Sequence, residues 1–212
     1  EDKLYVVGNM ANNNSFGGQS FGVPDTMMFV TEVGLSTGVF GSLSIPLKGN
    51  GSTAEAVIAR PEGGVYVTGQ YNDELSLPGV QSLSAPVGNY NAFVASLSNQ
   101  GWEWITSTEC YSPAAGDVCG NENATSLTLG YFGDLHVLGQ MDAHTQFGLS
   151  LSDPVKMNSG NIDVFVWSIA PNNGSSTGVL GTVGALYELP AAIITVEKEL
   201  IVSGNFLGTM TL

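Results

Sequence analysis

Basic residues are scarce in this chain. Of its 212 residues only five are Lys or Arg, whereas 19 are Asp or Glu, so the formal net charge is −14 at pH 7. Binding to nucleic acid needs clustered cations that displace counterions from phosphates, and docking on anionic lipid needs a basic face. The charge balance therefore argues against nucleic acid and against anionic membrane surfaces as partners.

Long apolar segments and helical patterns are also missing. Hydrophobic residues make up 43% of the chain, which is too many for a disordered protein. They occur in short runs, whereas a membrane-spanning helix needs about 20 consecutive apolar residues. No segment combines an apolar stripe at helical spacing with helix caps. We therefore expect no membrane insertion and very little helix.

Only two cysteines occur, Cys110 and Cys119, within the loop-like stretch ECYSPAAGDVCGNE. A disulfide that closes this short loop is the favoured interpretation, and two free thiols are the alternative. A metal site built on this pair is disfavoured because no His lies nearby.

Four Asn-x-Ser/Thr sequons lie in polar segments, at Asn13, Asn50, Asn123 and Asn173. Each alone is weak evidence for N-glycosylation, because such tripeptides arise by chance in a chain rich in Asn and Ser. Together with the scarce lysines and the predicted disulfide, they indicate a secreted or cell-surface glycoprotein. The chain begins with Glu1 and no signal segment precedes the globular pattern, so we expect a mature or trimmed product.

What the chain does have is an internal repeat. The segments LYVVGNM, VYVTGQY, LHVLGQM and LIVSGNF place strand-like residues before a glycine, and their glycines are Gly8, Gly69, Gly139 and Gly204. Three further motifs recur in a fixed order around this one: AEAVIAR, TSLTLGY and PAAIITV; MMFVTEV, AFVASL and VFVWSI; and GVFGSL, GWEWIT and GVLGTV. Four matched elements in one order indicate a repeat protein.

Each element has the pattern of a β-strand, with β-branched and aromatic residues bordered by Gly, Asn or Pro. We name the strands a, b, c and d in repeat order; the a–b turn is short enough for a hairpin, and the b–c link is long and polar. The chain begins and ends in strand b, which gives units of approximately 1–50, 51–122, 123–189 and a partial 190–212. The predicted fold is a single all-β domain of propeller-type repeats, with four-stranded antiparallel blades, about three repeats and incomplete terminal blades.

The second unit resembles the SBBP-type β-propeller repeat. The matching positions are Ile58 and Ala59, residues 66–69, residues 93–97, and Gly101 with Trp102 and Trp104. The third unit matches less closely, because His136 replaces Tyr66 and Trp167 enters the third strand. The resemblance implies an extracellular, non-enzymatic surface protein of microbial type and says little about a ligand.

The ends of the chain are unfinished in this scheme. Closed propellers use about four to eight blades, and unclosed ends leave strand edges whose polar groups seek partners. Either the chain is a piece of a longer array, or neighbouring subunits complete its blades. We therefore expect a structural subunit or segment of a surface layer, appendage or filament, which self-associates or joins neighbouring domains through the edges near residues 4–8 and 200–206.

Trp102 and Trp104 support a rival function. They alternate along strand d, so we expect both side chains on the same face. Exposed, they would stack against sugar rings, and the chain would be a carbohydrate- or protein-binding module of a larger adhesin. Buried, they would fill the space between blades, which is the favoured interpretation.

No catalytic site is expected, and the chain is predicted not to be an enzyme. Two Gly-x-Ser-x-Gly stretches, at 18–22 and 34–38, lack the following helix of a hydrolase elbow. His136 occupies a strand position held by Tyr in sister units, so we expect it to pack. His144, near Asp142, is expected to be a solvated loop residue.

No cofactor is expected, although Ca²⁺ is kept as a weaker alternative. An acidic extracellular repeat can bind this ion through Asp and backbone oxygens. The residues considered precede the c strands, where such side chains most often cap turns; they are Asp25, Asn91 and Asp163.

Overall fold

The computed structural model describes residues 3–11, 15–16, 19–20, 26–44, 49, 51–110, 119–148, 155–157, 162–182 and 187–206. Within these ranges there is no helix, so the all-β prediction is confirmed. The strands are β1 Lys3–Met10, β2 Ser15–Phe16, β3 Gln19–Ser20, β4 Met27–Gly34, β5 Phe40–Ser44, β6 Thr53–Ala59, β7 Val65–Tyr71, β8 Glu74–Ser76, β9 Ser82–Ser84, β10 Asn91–Ser98, β11 Gly101–Cys110, β12 Glu122–Leu129, β13 Leu135–Met141, β14 Thr145–Phe147, β15 Val155–Met157, β16 Asp163–Ile169, β17 Ser176–Gly181, β18 Glu188–Val196 and β19 Glu199–Phe206.

The long strands form four antiparallel sheets in chain order. Sheet 1 is β1-β4-β5, sheet 2 contains β6-β7-β10-β11, sheet 3 is β12-β13-β16-β17 and sheet 4 is β18-β19. These are the predicted units b-c-d, a-b-c-d, a-b-c-d and a-b, so the predicted strand order is confirmed. The predicted unit boundaries after residues 122 and 189 fall just inside β12 and β18.

The b–c links contain short strands that the sequence analysis did not predict. β2 pairs with β3, β8 pairs with β9, and β14 pairs with β15. β14 also pairs with the end of β11, so the third link extends sheet 2. Each link therefore contributes one pair of short antiparallel strands in the described ranges.

A β-bulge in strand a is one of two features that leave no room for a side chain at the recurring glycine of strand b. The pairing shifts register beside each glycine, at the pairs Ala54↔Gly69, Ala124↔Gly139 and Pro190↔Gly204. The extra residue pushes the backbone of strand a over the glycine. A Cβ at any of the three would collide with a strand-a carbonyl oxygen, that of Thr53, Asn123 or Leu189.

A phenylalanine of strand c faces the same glycine from the other side. The pairs are Gly8↔Phe29, Gly69↔Phe93 and Gly139↔Phe165. A Cβ on Gly8 would lie 3.0 Å from Cε1 of Phe29, and one on Gly139 would collide with the Phe165 ring. The glycine therefore makes room for an aromatic ring as well as for the bulge.

The sheets pack face to face in series, and two hydrophobic cores lie between them. The first core, between sheets 1 and 2, includes Met28, Val65, Val67 and Phe93. The second core, between sheets 2 and 3, includes Tyr66, Val137, Phe165 and Trp167. Successive residues of β7 enter different cores, as the alternation of a strand requires.

Sheet 4 continues the series on the far side of sheet 3. β18 lies against β12 and β13. Ile193 is buried there, and its backbone N–H donates a hydrogen bond to Ser126 Oγ at 3.3 Å. The hydroxyls of Thr128 and Thr195 lie 3.3 Å apart. The a strands of sheets 3 and 4 are thus in direct contact.

Candidate functional site

Trp102 and Trp104 do not share a face, so that prediction is wrong. Leu97 pairs with Trp102 and Ser96 pairs with Trp104, which leaves Glu103 as the extra residue of a bulge. The bulge reverses the alternation. Trp102 therefore lies in the first core and Trp104 in the second, with 9% and 8% of their surfaces exposed.

Trp104 belongs to a contact between sheets 2 and 3. Its indole Nε1 donates a hydrogen bond to the carbonyl of Pro171 at 3.0 Å, and the Tyr66 hydroxyl donates to the same oxygen at 3.3 Å. The Tyr66 and Trp104 rings lie 5.9 Å apart. This burial favours the packing interpretation, and stacking against sugars stays an untested prediction.

The strand-d alignment inferred from the sequence is also corrected. Ser96 and Ser168 are equivalent in strand c, and they pair with Trp104 and Gly178. Gly178 thus corresponds to Trp104 and not to Gly101. The reason is the c–d turn, which occupies residues 99–100 in sheet 2 and the longer segment 170–175 in sheet 3.

Cys110 and Cys119 form a disulfide, as predicted, with their Cα atoms 5.2 Å apart. The bond ties the end of β11 to the segment before β12, where the carbonyl of Cys119 accepts a hydrogen bond from Asn89 Nδ2 at 2.8 Å. A disulfide of this kind fits an oxidising compartment.

The sequons differ in their surroundings. Asn13 and Asn50 lie outside the described residues. Asn123 is half-buried in β12, where it pairs with Gln140. Asn173 is exposed in the c–d turn of sheet 3, and its Oδ1 accepts a hydrogen bond from the backbone N–H of Ser175 at 3.0 Å. Of the two described sequons, Asn173 is the more accessible to glycosylation, which stays a prediction.

The histidines lie in the environments of structural residues. His136 is half-buried in β13, its Nδ1 lies 2.9 Å from Ser168 Oγ, and burial lowers the pKa of its imidazole. His144 is half-buried just before β14. The neighbouring Asp142 carboxylate accepts hydrogen bonds from the backbone and side chain of Asn121.

The residues considered for Ca²⁺ are not gathered into a site in the described ranges. Asp25 lies outside them. Asn91 and Asp163 are both buried at the starts of their c strands, one in sheet 2 and the other in sheet 3. No group of three or more His, Cys, Asp or Glu side chains suited to a metal ion occurs among the residues that the structure describes.

Sequence reasoning missed a buried acid at the start of strand a. Glu122 is fully buried, and its Oε1 accepts a hydrogen bond from the Thr145 hydroxyl at 2.8 Å. Burial raises the pKa of this carboxyl to about 8. Glu188 holds the equivalent position in sheet 4 and accepts from the Thr182 hydroxyl. The recurrence of Glu at this position was the available signal.

The strongest candidate for a functional surface is the open side of sheet 4. Leu200 and Val202 of β19 stand four and two positions before Gly204, with 37% and 44% of their surfaces exposed. The equivalent Leu135 and Val137 of β13 are fully buried. β13 is covered on its outer edge by strand c, whereas β19 pairs with β18 alone within the described ranges.

The outer face of sheet 3 is open beside it. Val164 and Val166, which flank Phe165, are half-buried, whereas the equivalent Ala92 and Val94 of sheet 2 are fully buried. Leu180, which pairs with Val166, is 70% exposed. Its equivalent in sheet 2, Thr106, is buried beneath sheet 3.

These two surfaces line one apolar groove of about 490 Å³. Its walls are the c and d strands of sheet 3 and the outer part of the β18–β19 hairpin, with Val166, Leu180, Leu200, Val202 and Gly204 among the lining residues. We call this feature the β19 groove. It holds the place that strands c and d of a complete fourth sheet would take.

The opposite end of the series is also open. β1 pairs with β4 only, so sheet 1 lacks a strand a in the described ranges. Leu4 and Phe40 are exposed on its outer side. Phe40 pairs with Val33 as Trp102 pairs with Leu97, and Trp102 is buried because sheet 1 covers it.

No protein-family model matches the chain, and a search of curated proteins finds no match. The resemblance to the SBBP-type repeat therefore stays a prediction. In the ranges described, no helix is long and apolar enough to cross a lipid bilayer.

Proposed function

We propose that this chain is a non-enzymatic structural unit of an extracellular assembly. It is a subunit or segment of a surface layer, appendage or filament, and it joins neighbouring units through the edges of sheets 1 and 4. The observation that carries the proposal is the pair of unfinished ends. Among the residues that the structure describes, sheet 1 has no strand a, sheet 4 has no strands c and d, and apolar side chains are exposed at both places.

The packing of the sheets supports a propeller-type arrangement within that unit. Sheets 2 and 3 each contain a four-stranded antiparallel meander, and each sheet packs its face on the next. Four-stranded sheets packed in this way are the building blocks of propellers, whose closure removes open faces. An unclosed series leaves two faces and two edges for neighbours.

The chemistry of the chain supports an extracellular location. The disulfide is stable in an oxidising compartment. The net charge of −14 keeps separate units soluble through mutual repulsion until specific contacts form.

The test is the mass of the chain in solution, measured by size-exclusion chromatography with light scattering over a hundredfold range of concentration. Because open edges pair with one another in the absence of their natural neighbours, we expect species well above 22 kDa as the concentration rises. A single 22-kDa species at every concentration would contradict the proposal.

A matched pair of variants separates specific contacts from general stickiness. Leu180→Lys places a charge in the β19 groove, and Val87→Lys places one at a distant residue that is 95% exposed. We expect the first to reduce association and the second to leave it unchanged. Equal effects would mean that the open end of sheet 4 is not a contact surface.

A further inference from the structure

Three of the four b strands share one contact on their outer edge. Strand c pairs with each of them and sets a phenylalanine opposite the recurring glycine, as Phe29, Phe93 and Phe165 do. β19 carries the fourth glycine, Gly204, and the atoms nearest to a Cβ there would be backbone atoms of Leu189 and Pro190 in its own hairpin. The space above Gly204 that a phenylalanine takes in the other sheets is part of the β19 groove.

We propose that the β19 groove is the docking site for a c–d strand pair of a further repeat, whose phenylalanine lies over Gly204. In sheet 2 the b–c register runs from Val65↔Leu97 to Tyr71↔Asn91. The same register on β19 runs from Leu200 to Phe206. The incoming strand adds its backbone hydrogen bonds to the edge of β19 that is unpaired among the described residues, which is the chemistry of β-strand addition.

The apolar side chains of the groove are complementary to those of a c–d strand pair. In sheet 3 the residues Phe165, Trp167 and Ile169 of strand c face the preceding sheet and fill the second core. A docked strand c presents the equivalent residues to Val164, Val166 and Leu180. These contacts would bury the side chains of Leu200 and Val202, as Leu135 and Val137 are buried in sheet 3.

The occupant is a strand pair supplied by another polypeptide segment of this repeat type and not by a second copy of these 212 residues. The c–d pairs in the described ranges are β4–β5, β10–β11 and β16–β17, and each is already held in its own sheet. A second copy would have to open one of its sheets to donate a pair. This inference rests on the proposed function, and it identifies the neighbour that joins the unit at the edge of sheet 4.

The test uses the intact chain and a synthetic peptide of residues 163–181, which contains a c–d pair and no cysteine. Binding of the fluorescently labelled peptide is measured at a chain concentration low enough for the chain to be a 22-kDa species. We expect saturable binding, and a peptide with Phe165→Ala should bind about tenfold more weakly or worse, because it lacks the aromatic anchor. Equal binding of the two peptides would overturn the proposal.

The location of the site is tested with variants of the chain. Leu180→Lys in the chain should weaken peptide binding at least as strongly as Phe165→Ala in the peptide does. Val87→Lys in the chain should not change peptide binding. Replacing Gly204 is a poor test, because a Cβ there would disturb the β18–β19 hairpin itself. Peptide that binds the Leu180→Lys chain with unchanged affinity would show that the site lies elsewhere.

Hydrogen exchange identifies the occupant. Saturating peptide should slow exchange of the amides of residues 199–206. If a higher chain concentration protects these amides and the peptide does not, the occupant is a second copy and the proposal is wrong. Failure of this inference is separable from failure of the proposed function, since the mass of the chain alone tests assembly and peptide binding tests the groove.

Discussion

At the scale of single residues, the least expected feature is the buried carboxyl of Glu122. It lies in the interior with one hydrogen bond to Thr145, and its other oxygen has no partner in the described structure. Burial favours the neutral form, which accounts for a pKa of about 8 against an ordinary value of 4.5. A neutral side chain at this site is therefore suited to the fold.

We expect Glu122 to make stability depend on pH. Its folded-state pKa is raised, so its stabilising contribution is complete below pH 4.5 and is lost as the pH rises to about 8. Glu122→Gln should lie within about 1 kcal/mol of the native chain near pH 5 and exceed its unfolding free energy by about 4 kcal/mol at pH 8. Urea denaturation at both pH values measures this difference. A constant difference between the two proteins would mean that Glu122 does not titrate in this range.

At the scale of strands, the recurring glycine of strand b is the residue on which the packing of the neighbouring strands depends. Gly139 lies between the bulge of strand a and Phe165 of strand c, so two neighbours occupy the space that a side chain would need. A side chain at Gly139 would therefore disturb the pairing of strand b on both of its edges.

We expect Gly139→Ala to destabilise the chain by about 1–3 kcal/mol, because its methyl group would collide with the Asn123 carbonyl and the Phe165 ring. Gly178→Ala in β17 is the matched control, since a Cβ there meets no atom within 4 Å. The control should change stability by no more than about 0.5 kcal/mol. Thermal unfolding of both variants measures the effect, and equal melting temperatures would show that the contact at Gly139 relaxes without cost.

The sequence predicted the long strands because their motifs recur, and the phase of the chain followed from the order of those motifs. It did not predict what depends on pairing geometry. The bulge at Glu103 separates Trp102 from Trp104, and the longer turn before Gly178 shifts strand d, yet neither leaves a periodic signal in the residues. The sequence predicted an exposed strand edge near residues 200–206. It did not predict the second wall of the β19 groove, because that wall belongs to sheet 3 and depends on how the sheets pack.

At the scale of the whole molecule, the dominant property is its charge. With −14 formal charges on 212 residues, neighbouring units repel one another at low ionic strength. The groove that we assign to a partner strand pair is lined mainly by apolar side chains, so its contacts do not depend on charge pairs.

We expect salt to promote association. Raising NaCl from about 10 mM to about 500 mM shortens the Debye length from about 30 Å to below 10 Å, which screens the repulsion and leaves apolar and backbone contacts in place. Light scattering should therefore show a larger mean mass at the higher salt concentration at pH 7. A smaller mass at high salt would indicate that ion pairs hold the units together.

The two open ends of the sheet series are chemically different. Within the described part of the chain, one end offers the outer side of sheet 1 without a strand a, and the other offers the β19 groove without strands c and d. Neither end is complementary to itself, and a strand a that completes one end does not fit the other, so neighbours join the two ends in a fixed orientation. An array built through these ends therefore has polarity, with one growing tip that differs from the other and a defined direction along its axis.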